Sequence, residues 1–419
     1  MSGLVVIGAS YAGVQAALGA RGAGYSEPVT IVADEQSLPY ERPPLSKEFL
    51  LGEAGAQDLV LRDDAFFARE RIDMLLGQRV TEVDLAARQL AVQGGRRLNF
   101  DKLVIATGSR ARRISIPGAE LDGVSYLRTV ADAIDLRARL ARAAEIVIVG
   151  GGFVGLEVAS SAAKLGKKVT VIEAALRLLE RAVSPVVSRF LLDAHGQAEV
   201  DVRLGETVVA ISGSAGQVVG VDLRSGSRLG ADLVVVGIGG IANDELANDA
   251  GLRCSNGILV DEQGRTAVPE ICAAGDCANH YNRFAEDWIR LESVQNAQDQ
   301  GKAAGLAIAD RHAPYDSVPR FWSDQYDLKI QIVGLSGRCD QMVTRGSIEE
   351  GRFSVFHYRK GRMVGVDSIN RPGDQTVARR LIAAGISLTP AQAADDLFDI
   401  KASLQAVDRA VVQSRDIAS

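Results

Sequence analysis

The chain has 419 residues, 47% of them hydrophobic and 24% charged, with a formal net charge of -6. That length exceeds what one hydrophobic core organises, so two to four domains are expected. The acidic balance argues against a general nucleic-acid binder. The four cysteines show no repeated C-x-x-C spacing, and His195, His280, His312 and His357 are scattered, so neither a disulfide framework nor a metal site is legible. The N-terminus has no basic n-region and its apolar run Leu4–Ile7 stops at Gly8, so no signal peptide is expected. No run approaches the roughly 20 apolar residues that span a bilayer. The expected setting is a cytoplasmic enzyme with no membrane partner.

The first ordered stretch, Leu4-Val-Val-Ile-Gly-Ala-Ser-Tyr-Ala-Gly13, predicts a short buried strand and a glycine turn. Ser10 stands where a second glycine is expected. A helix follows from about Gly13 to Gly22. A second strand, Val29–Ala33, ends at Asp34-Glu35, and an acid about 20 residues past such a turn is placed to accept from a ribose. Next comes Pro39-Tyr-Glu-Arg-Pro-Pro-Leu-Ser-Lys47, where adjacent prolines impose a rigid extended path. Ser46 is expected to cap a helix over Lys47–Leu51, and on composition alone Lys47 reads as an exposed first-turn lysine. Residues 78–105 alternate around Gly94-Gly95 and predict a hairpin feeding a buried strand that stops at Gly108.

The same order then repeats. Ile146-Val-Ile-Val-Gly-Gly-Gly-Phe-Val-Gly-Leu-Glu157 is a strand, a complete G-x-G-x-x-G turn and a helix start. That helix reaches about Gly166, and the strand Lys168–Ile172 ends at Glu173. Alternating segments at 200–211 and 217–223 precede the apolar strand Ala231–Val236. One unit used twice implies two dinucleotides and a reaction between them.

Val268-Pro-Glu-Ile-Cys-Ala-Ala-Gly-Asp276 predicts a short strand presenting a carboxylate at its C-terminal end, and residues 288–300 read as a loop entering a helix. From Pro314 the texture changes. The aromatic cluster Phe321, Trp322 and Tyr326 precedes strand-like runs at 330–335, 341–345, 353–358 and 362–369, then helical segments at about 374–385 and 390–405. That order is α+β. The fold class expected is α/β, with two Rossmann-like dinucleotide-binding domains and a C-terminal α+β domain.

From about residue 3 to 405 the chain resembles the FAD-dependent, NADH-using ferredoxin reductases of the putidaredoxin reductase and rubredoxin reductase type. These belong to the glutathione reductase-like superfamily. They include reductase components of ring-hydroxylating dioxygenases and bacterial cytochromes P450. The resemblance rests on five motifs in order: Arg42-Pro-Pro-Leu-Ser-Lys47, Gly150–Glu157, Ala273-Ala-Gly-Asp-Cys277, Arg290-Leu-Glu-Ser-Val-Gln-Asn-Ala297 and Phe321-Trp-Ser-Asp-Gln-Tyr-Asp327. It implies an FAD domain in two segments, 1–108 and 239–314, an NADH domain at 109–238, and a C-terminal domain at 315–419. By matching position, Gly8, Gly13 and Glu35 contact the adenosine diphosphate part of FAD and Asp276 holds the ribityl chain. Lys47 lies by the flavin ring and Glu157 by the nicotinamide, so the two can pair. Glu292 lies on the same face, and Trp322 against the other side. Gly150, Gly152, Gly155 and Glu173 receive NADH. The resemblance places Ser10, Tyr11, Ala12, Asp34, Arg42, Val80, Ala106, Thr107, Gly108, Arg128, Ser293, Val294, Phe153, Val154 and Gly239 among the other cofactor-binding positions. The catalytic set it implies is Lys47, Glu157, Glu292 and Trp322.

Three places depart from the family pattern. Ser10 replaces a glycine, Gly239-Gly-Ile-Ala-Asn243 lacks the usual proline, and Gln197-Ala-Glu199 reads as a small irregularity. The implied reaction passes a hydride from NADH to FAD, then single electrons to a [2Fe–2S] ferredoxin serving a P450 or Rieske-type oxygenase. A flavin bridges two-electron and one-electron chemistry. In that reading Lys47 supplies positive charge near the ring, and the helix entered at 293 faces its pyrimidine end. A rubredoxin reductase is the nearest alternative. A disulfide reductase or an NADH oxidase needs a cysteine by the flavin, and no cysteine precedes Cys254. Cys272 and Cys277 flank Gly-Asp and read as structural. A non-enzymatic flavoprotein with a structural or signalling role would bind FAD but turn NADH over very slowly. A monomer or homodimer is expected. Arg283, Arg290, Arg320 and Lys329 are candidates for contacting an acidic ferredoxin.

Glu173 favours NADH, because a carboxylate accepts from a 2′-hydroxyl and repels a 2′-phosphate. Arg177 and Arg181 follow closely and act in the opposite sense. In anaerobic stopped-flow, NADPH should reduce the flavin at least about tenfold more slowly than NADH. Equal rates would remove this assignment of Glu173.

Overall fold

The computed structural model describes residues 3–337 and 339–405. The chain divides into two compact units. The first comprises residues 1–41, 56–110 and 240–317; the second comprises 42–55, 111–239 and 318–419.

The first unit is built on a five-stranded parallel sheet. Its spatial order is Ile271–Ala273, Lys102–Ile105, Leu4–Ile7, Val29–Val32 and Ile72–Leu75. These strands are short runs of Val, Ile and Leu, as a sheet covered on both faces requires. The hairpin region at 78–105 resolves into an antiparallel sheet of Val80–Asp84, Gln89–Val92 and Arg97–Asn99 feeding the strand Lys102–Ile105. Helix Tyr11–Gly22 begins two residues earlier than its sequence suggested, with Ser10 as N-cap. It lies against helix Val294–Ile308 along a seam of small residues. A Cβ at Gly301 would stand 2.4 Å from the carbonyl oxygen of Ala12, and one at Gly305 would stand 2.1 Å from that of Ala16. Only glycine lets these backbones meet.

The second unit repeats the plan. Its parallel sheet runs Asp201–Leu204, Lys168–Glu173, Glu145–Val149, Leu233–Val236 and Val124–Ser125. In both units the strand before the glycine loop is central. Its next strand in sequence lies on one side, and the strand reached through a three-stranded antiparallel excursion lies on the other. The C-terminal part of this unit adds an antiparallel sheet in the order Arg320–Gln325, Leu328–Gly334, Arg362–Ile369, Arg352–Arg359 and Gln341–Ser347. One hydrophobic core joins Leu50 to Ile146, Leu156 and Leu191, and to Ile330, Phe353 and Ile369. Residues 42–55 are thus bound to the second unit by burial, although the sequence on both sides of them belongs to the first.

Several local expectations change. The segment 200–211 is not one strand: Gly205 (φ 68°) turns the chain from the parallel sheet into Val208–Ser214 of the antiparallel one. The irregularity at 197–199 is the end of helix Pro185–Gln197, with Glu199 at φ 60°. That helix, and Val130–Arg142, are additions to the sequence reading. Their signals were present: Ser184-Pro185 places a cap before a first-turn proline, and Thr129 with Asp132 forms a capping box. Residues 390–405 do not form one helix. A turn of helix, Pro390–Ala394, is followed by a separate 3₁₀ segment, Ile400–Ser403. The cause is tertiary. The buried Arg345 guanidinium donates to the carbonyl oxygens of Asp395, Asp396 and Phe398, which a continuing helix would need for itself. The last fourteen residues, 406–419, lie outside the described part of the chain.

Gly305→Ala should lower stability by about 1–3 kcal/mol through overpacking of the helix seam. Gly22→Ala, whose Cβ would meet nothing within 4 Å, should leave stability unchanged or raise it. Denaturant midpoints of the two variants check this.

Candidate active site

Both glycine loops are shaped by the same two close approaches. Gly8 (φ 110°) would carry its Cβ 2.2 Å from the oxygen of Ala106, and Gly150 (φ 111°) its own 2.3 Å from that of Gly237. A Cβ at Gly13 would stand 1.9 Å from the oxygen of Gly8, and one at Gly155 would stand 2.2 Å from that of Gly150. The first and third glycines are therefore obligatory. The middle position is different: a Cβ at Gly152 meets nothing nearer than 3.9 Å. In the first loop the corresponding residue, Ser10, is the N-cap of helix Tyr11–Gly22. Each loop ends in a helix N-terminus whose first turn holds no acidic residue, a setting suited to a pyrophosphate.

In the first unit the acid after the second strand is Glu35, half-buried, which accepts from the Tyr40 hydroxyl at 2.5 Å; Asp34 is exposed. Asp276 follows Gly275 (φ 83°) beyond the strand Ile271–Ala273 and accepts from the Ser109 hydroxyl at 3.2 Å. The Gly275 N–H donates to Gln300 Oε1 at 2.8 Å, tying this turn to the helix that starts after Ser293. Thr107 donates to the Asn243 oxygen at 2.6 Å, and Asn243 returns a bond to the Thr107 oxygen at 2.9 Å. The segment 239–243 keeps this clasp with Ala242 in place of the family's proline. Glu292 stands over Gly240, where a Cβ would lie 2.7 Å from its Oε1, and pairs with Arg290 at 2.5 Å. Ser293 caps the following helix by accepting from Asn296 N–H. Val80 and Ala106 are buried, and Val294 packs on the core of the unit.

In the second unit Glu173 is pinned beside the glycine loop. Its Oε2 accepts from Gly151 N–H at 2.6 Å and its Oε1 from Ala175 N–H at 2.7 Å. Arg177 donates instead to the carbonyl oxygens of Val183 and Glu180, and Arg181 is exposed. Phe153 stacks on Phe321 with ring centroids 4.4 Å apart, while Val154 is exposed. Arg42 donates to the Arg128 oxygen at 2.7 Å.

The second unit also buries the Glu157 carboxylate, whose side chain is 7% exposed. Lys47 Nζ lies 2.9 Å from its Oε2. Ser46 Oγ donates to the same oxygen at 2.5 Å, and Ser323 Oγ to Oε1 at 2.6 Å. Lys47 also donates to the Pro43 oxygen at 2.8 Å, so two of its three N–H donors are committed among the described residues. A charge this buried is stable only when its partners are in place. Two sequence expectations are corrected by this arrangement. Lys47 is not an exposed first-turn lysine: its side chain is 12% exposed and ion-paired. Ser46 is not a helix cap: the N-cap is Lys47 and the Ser46 hydroxyl is spent on Glu157.

Trp322 is half-buried, with the Arg320 guanidinium 6.0 Å from its ring centre. Among the ferredoxin-contact candidates, Arg290 is corrected: its side chain is 9% exposed and donates to Glu292 and the Asp276 oxygen. Arg283 is paired with Asp316, and Lys329 is exposed. All four cysteines are free thiols. Burial pushes Cys272 up to about 12 and Cys254 up to about 11, and it raises the fully buried Cys277 as well. None is poised as a nucleophilic thiolate.

Residues 2–301 match the pyridine nucleotide-disulphide oxidoreductase family, and residues 320–404 match the reductase C-terminal family. The chain is 42% identical over 401 residues to rhodocoxin reductase from Rhodococcus erythropolis, covering 96% of this chain and 94% of that protein. It superposes with a TM-score of 0.94 at 39% identity on the ferredoxin reductase for the CYP199A2 system from Rhodopseudomonas palustris, covering 96% and 100% of the two chains. The reductase in a covalent putidaredoxin reductase–putidaredoxin complex matches with a TM-score of 0.94 at 36% identity, covering 97% and 99%. With its paired glycine loops and its reductase C-terminal domain, this chain belongs to the pyridine nucleotide-disulphide oxidoreductases and is an FAD- and NAD(H)-using oxidoreductase of the ferredoxin reductase type.

Proposed function

We propose that this protein takes a hydride from NADH onto FAD and delivers electrons singly to a [2Fe–2S] ferredoxin that feeds a P450 or Rieske-type oxygenase. The observation that carries the reading is the buried Lys47–Glu157 pair, in a chain whose four cysteines are free thiols, with Cys272 and Cys277 buried. FAD supplies the step between two-electron and one-electron chemistry. The chain's own residues bind and orient. Gly8, Gly13 and Glu35 receive the adenosine diphosphate part of FAD, and Asp276 receives its ribityl chain. The first glycine loop fits that role because Gly8 and Gly13 let the turn close tightly ahead of a helix N-terminus with no acidic residue in its first turn. Gly150, Gly152, Gly155 and Glu173 receive NADH. Arg177 donates to the carbonyl oxygens of Val183 and Glu180. Lys47 and Glu157 serve the reacting rings, with Glu157 holding the lysine's orientation. Glu292 and Trp322 complete the set, and Trp322 serves delivery to the ferredoxin.

In domain terms, residues 1–108 and 239–314 bind FAD, 109–238 bind NADH, and 315–419 form the C-terminal domain. The protein acts in the cytoplasm as a monomer or homodimer. Among the described residues no helix is long and apolar enough to cross a membrane.

The deciding experiment is anaerobic reduction of the purified protein by NADH, followed by mixing with oxidised [2Fe–2S] ferredoxins, rubredoxin or glutathione disulfide. A ferredoxin should reoxidise it fastest, and faster reoxidation by either other acceptor overturns the proposal. Lys47→Ala should slow NADH-driven flavin reduction by about 10- to 100-fold, since misplacing one oriented group has effects of that size. Trp322→Ala should slow electron delivery to ferredoxin more than it slows hydride transfer. Stopped-flow measurement of the two half-reactions separates them.

A further inference from the structure

Helix Phe153–Lys164 carries Glu157, Ser160, Ser161 and Lys164 at helical spacing, which sets all four on one face. Every one of them is bonded to chain remote in sequence. Ser161 donates to the Ser46 oxygen at 2.7 Å. Ser160 accepts from Tyr326 N–H at 2.7 Å, and Lys164 donates to the Tyr326 oxygen at 3.0 Å. Tyr326 is the turn between strands Arg320–Gln325 and Leu328–Gly334, at φ 57°. Along the first of these strands alternate residues share one face: Phe321 meets Phe153 and Ser323 meets Glu157 on this helix, and Gln325 meets His195 on helix Pro185–Gln197.

These contacts join into one chain of hydrogen bonds, and chemistry dictates its direction. An ionised carboxylate only accepts, so Ser323 Oγ–H must donate to Glu157. Ser323 then accepts from Gln325 Nε2 at 3.2 Å. That orientation turns Gln325 Oε1 towards His195 Nε2, 3.0 Å away, which must carry the proton. His195 is fully buried, and desolvation lowers its pKa below the ordinary value, keeping the ring neutral. Its Nδ1 is then bare and accepts from the Tyr326 hydroxyl at 2.9 Å. Every donor from Tyr326 onward points towards Glu157.

We propose that Tyr326, His195, Gln325 and Ser323 are positioning residues for hydride transfer, acting as a directed hydrogen-bond chain that holds the Glu157 carboxylate and, through it, Lys47. The proposal rests on the role given to Glu157 and Lys47 above. Ser323 and Ser46 take opposite oxygens of one carboxylate, so its rotation is arrested and the Lys47 ammonium has one docking geometry. Successive donors aligned in this way polarise one another. The amide of Gln325 in mid-chain makes the array an orienting device and not a proton wire, because its N–H and C=O ends do not interchange.

Two measurements test this. In the holoprotein with isotope-labelled histidine, nuclear magnetic resonance at neutral pH should show His195 as the neutral Nε2–H tautomer. Its Nδ1 resonance should shift in Tyr326→Phe. An Nδ1–H tautomer reverses the chain and overturns the proposal. In stopped-flow, Ser323→Ala should lower the limiting rate of flavin reduction about tenfold with NADH affinity changed less than about twofold. Combined with Glu157→Gln it should add nothing further, because residues acting through one another are not additive. Additive losses, or no loss in Ser323→Ala, overturn the positioning role. If Glu157→Gln alone leaves the rate unchanged, the role of Glu157 falls and takes the positioning claim with it, a result the single-variant rate identifies by itself. Thermal melts accompany each variant. Should Ser323→Ala not fold, Tyr326→Phe carries the same cycle from the far end of the chain, with a loss of about threefold that vanishes in the Glu157→Gln background.

Discussion

A carboxylate removed from water must be repaid by charge and hydrogen bonds, and Glu157 is where this protein meets that requirement. Its two oxygens take three donors from two remote stretches, Ser46 and Lys47 from one and Ser323 from the other. Lys47 without Glu157 would be a desolvated ammonium, and Glu157 without the serines would be a half-satisfied anion. The requirement also accounts for the odd membership of residues 42–55 in the second unit. Leu50 buries its side chain in that unit's core while Ser46 and Lys47 satisfy the helix acid.

The two glycine loops show how strictly the backbone dictates some positions and how loosely others. The first glycine of each loop is pressed against the end of a neighbouring strand, and the third against the first. Any side chain there would displace backbone, which has nowhere to go. The middle glycine meets no protein atom this closely, and serine stands in its place in the first copy. Identical strand order around both loops places the acids Glu35 and Glu173 at equivalent strand ends. Their charges are handled differently. Glu35 is held by a tyrosine hydroxyl, and Glu173 by two backbone amides of its own loop and the following turn.

Elsewhere long-range contacts override local pattern. The alternation through 200–211 is continuous in sequence, yet Gly205 divides it between two sheets. The helical periodicity past Thr389 stops because the Arg345 guanidinium claims the carbonyls that would continue it. A buried arginine with three backbone acceptors wins over a weak terminal helix, since short helices gain little from propensity alone.

The glycine spacings, the apolar strands that precede them and the acids that follow suffice to predict two dinucleotide-binding units, while the assignment of FAD to the first and NADH to the second comes from family resemblance. Those features act over a few residues, through backbone conformation and side-chain period, and are legible wherever they occur. The pairing of Lys47 with Glu157 was reachable only through family resemblance, because composition alone makes Lys47 a solvated lysine. Ser46, Ser323, Gln325, His195 and Tyr326 carried no local mark of their part in that cluster. Their roles come from packing: a helix face, a strand face and a proline-stiffened segment meet around one buried charge. Desolvation then makes every nearby donor count, and desolvation is a property of the folded chain.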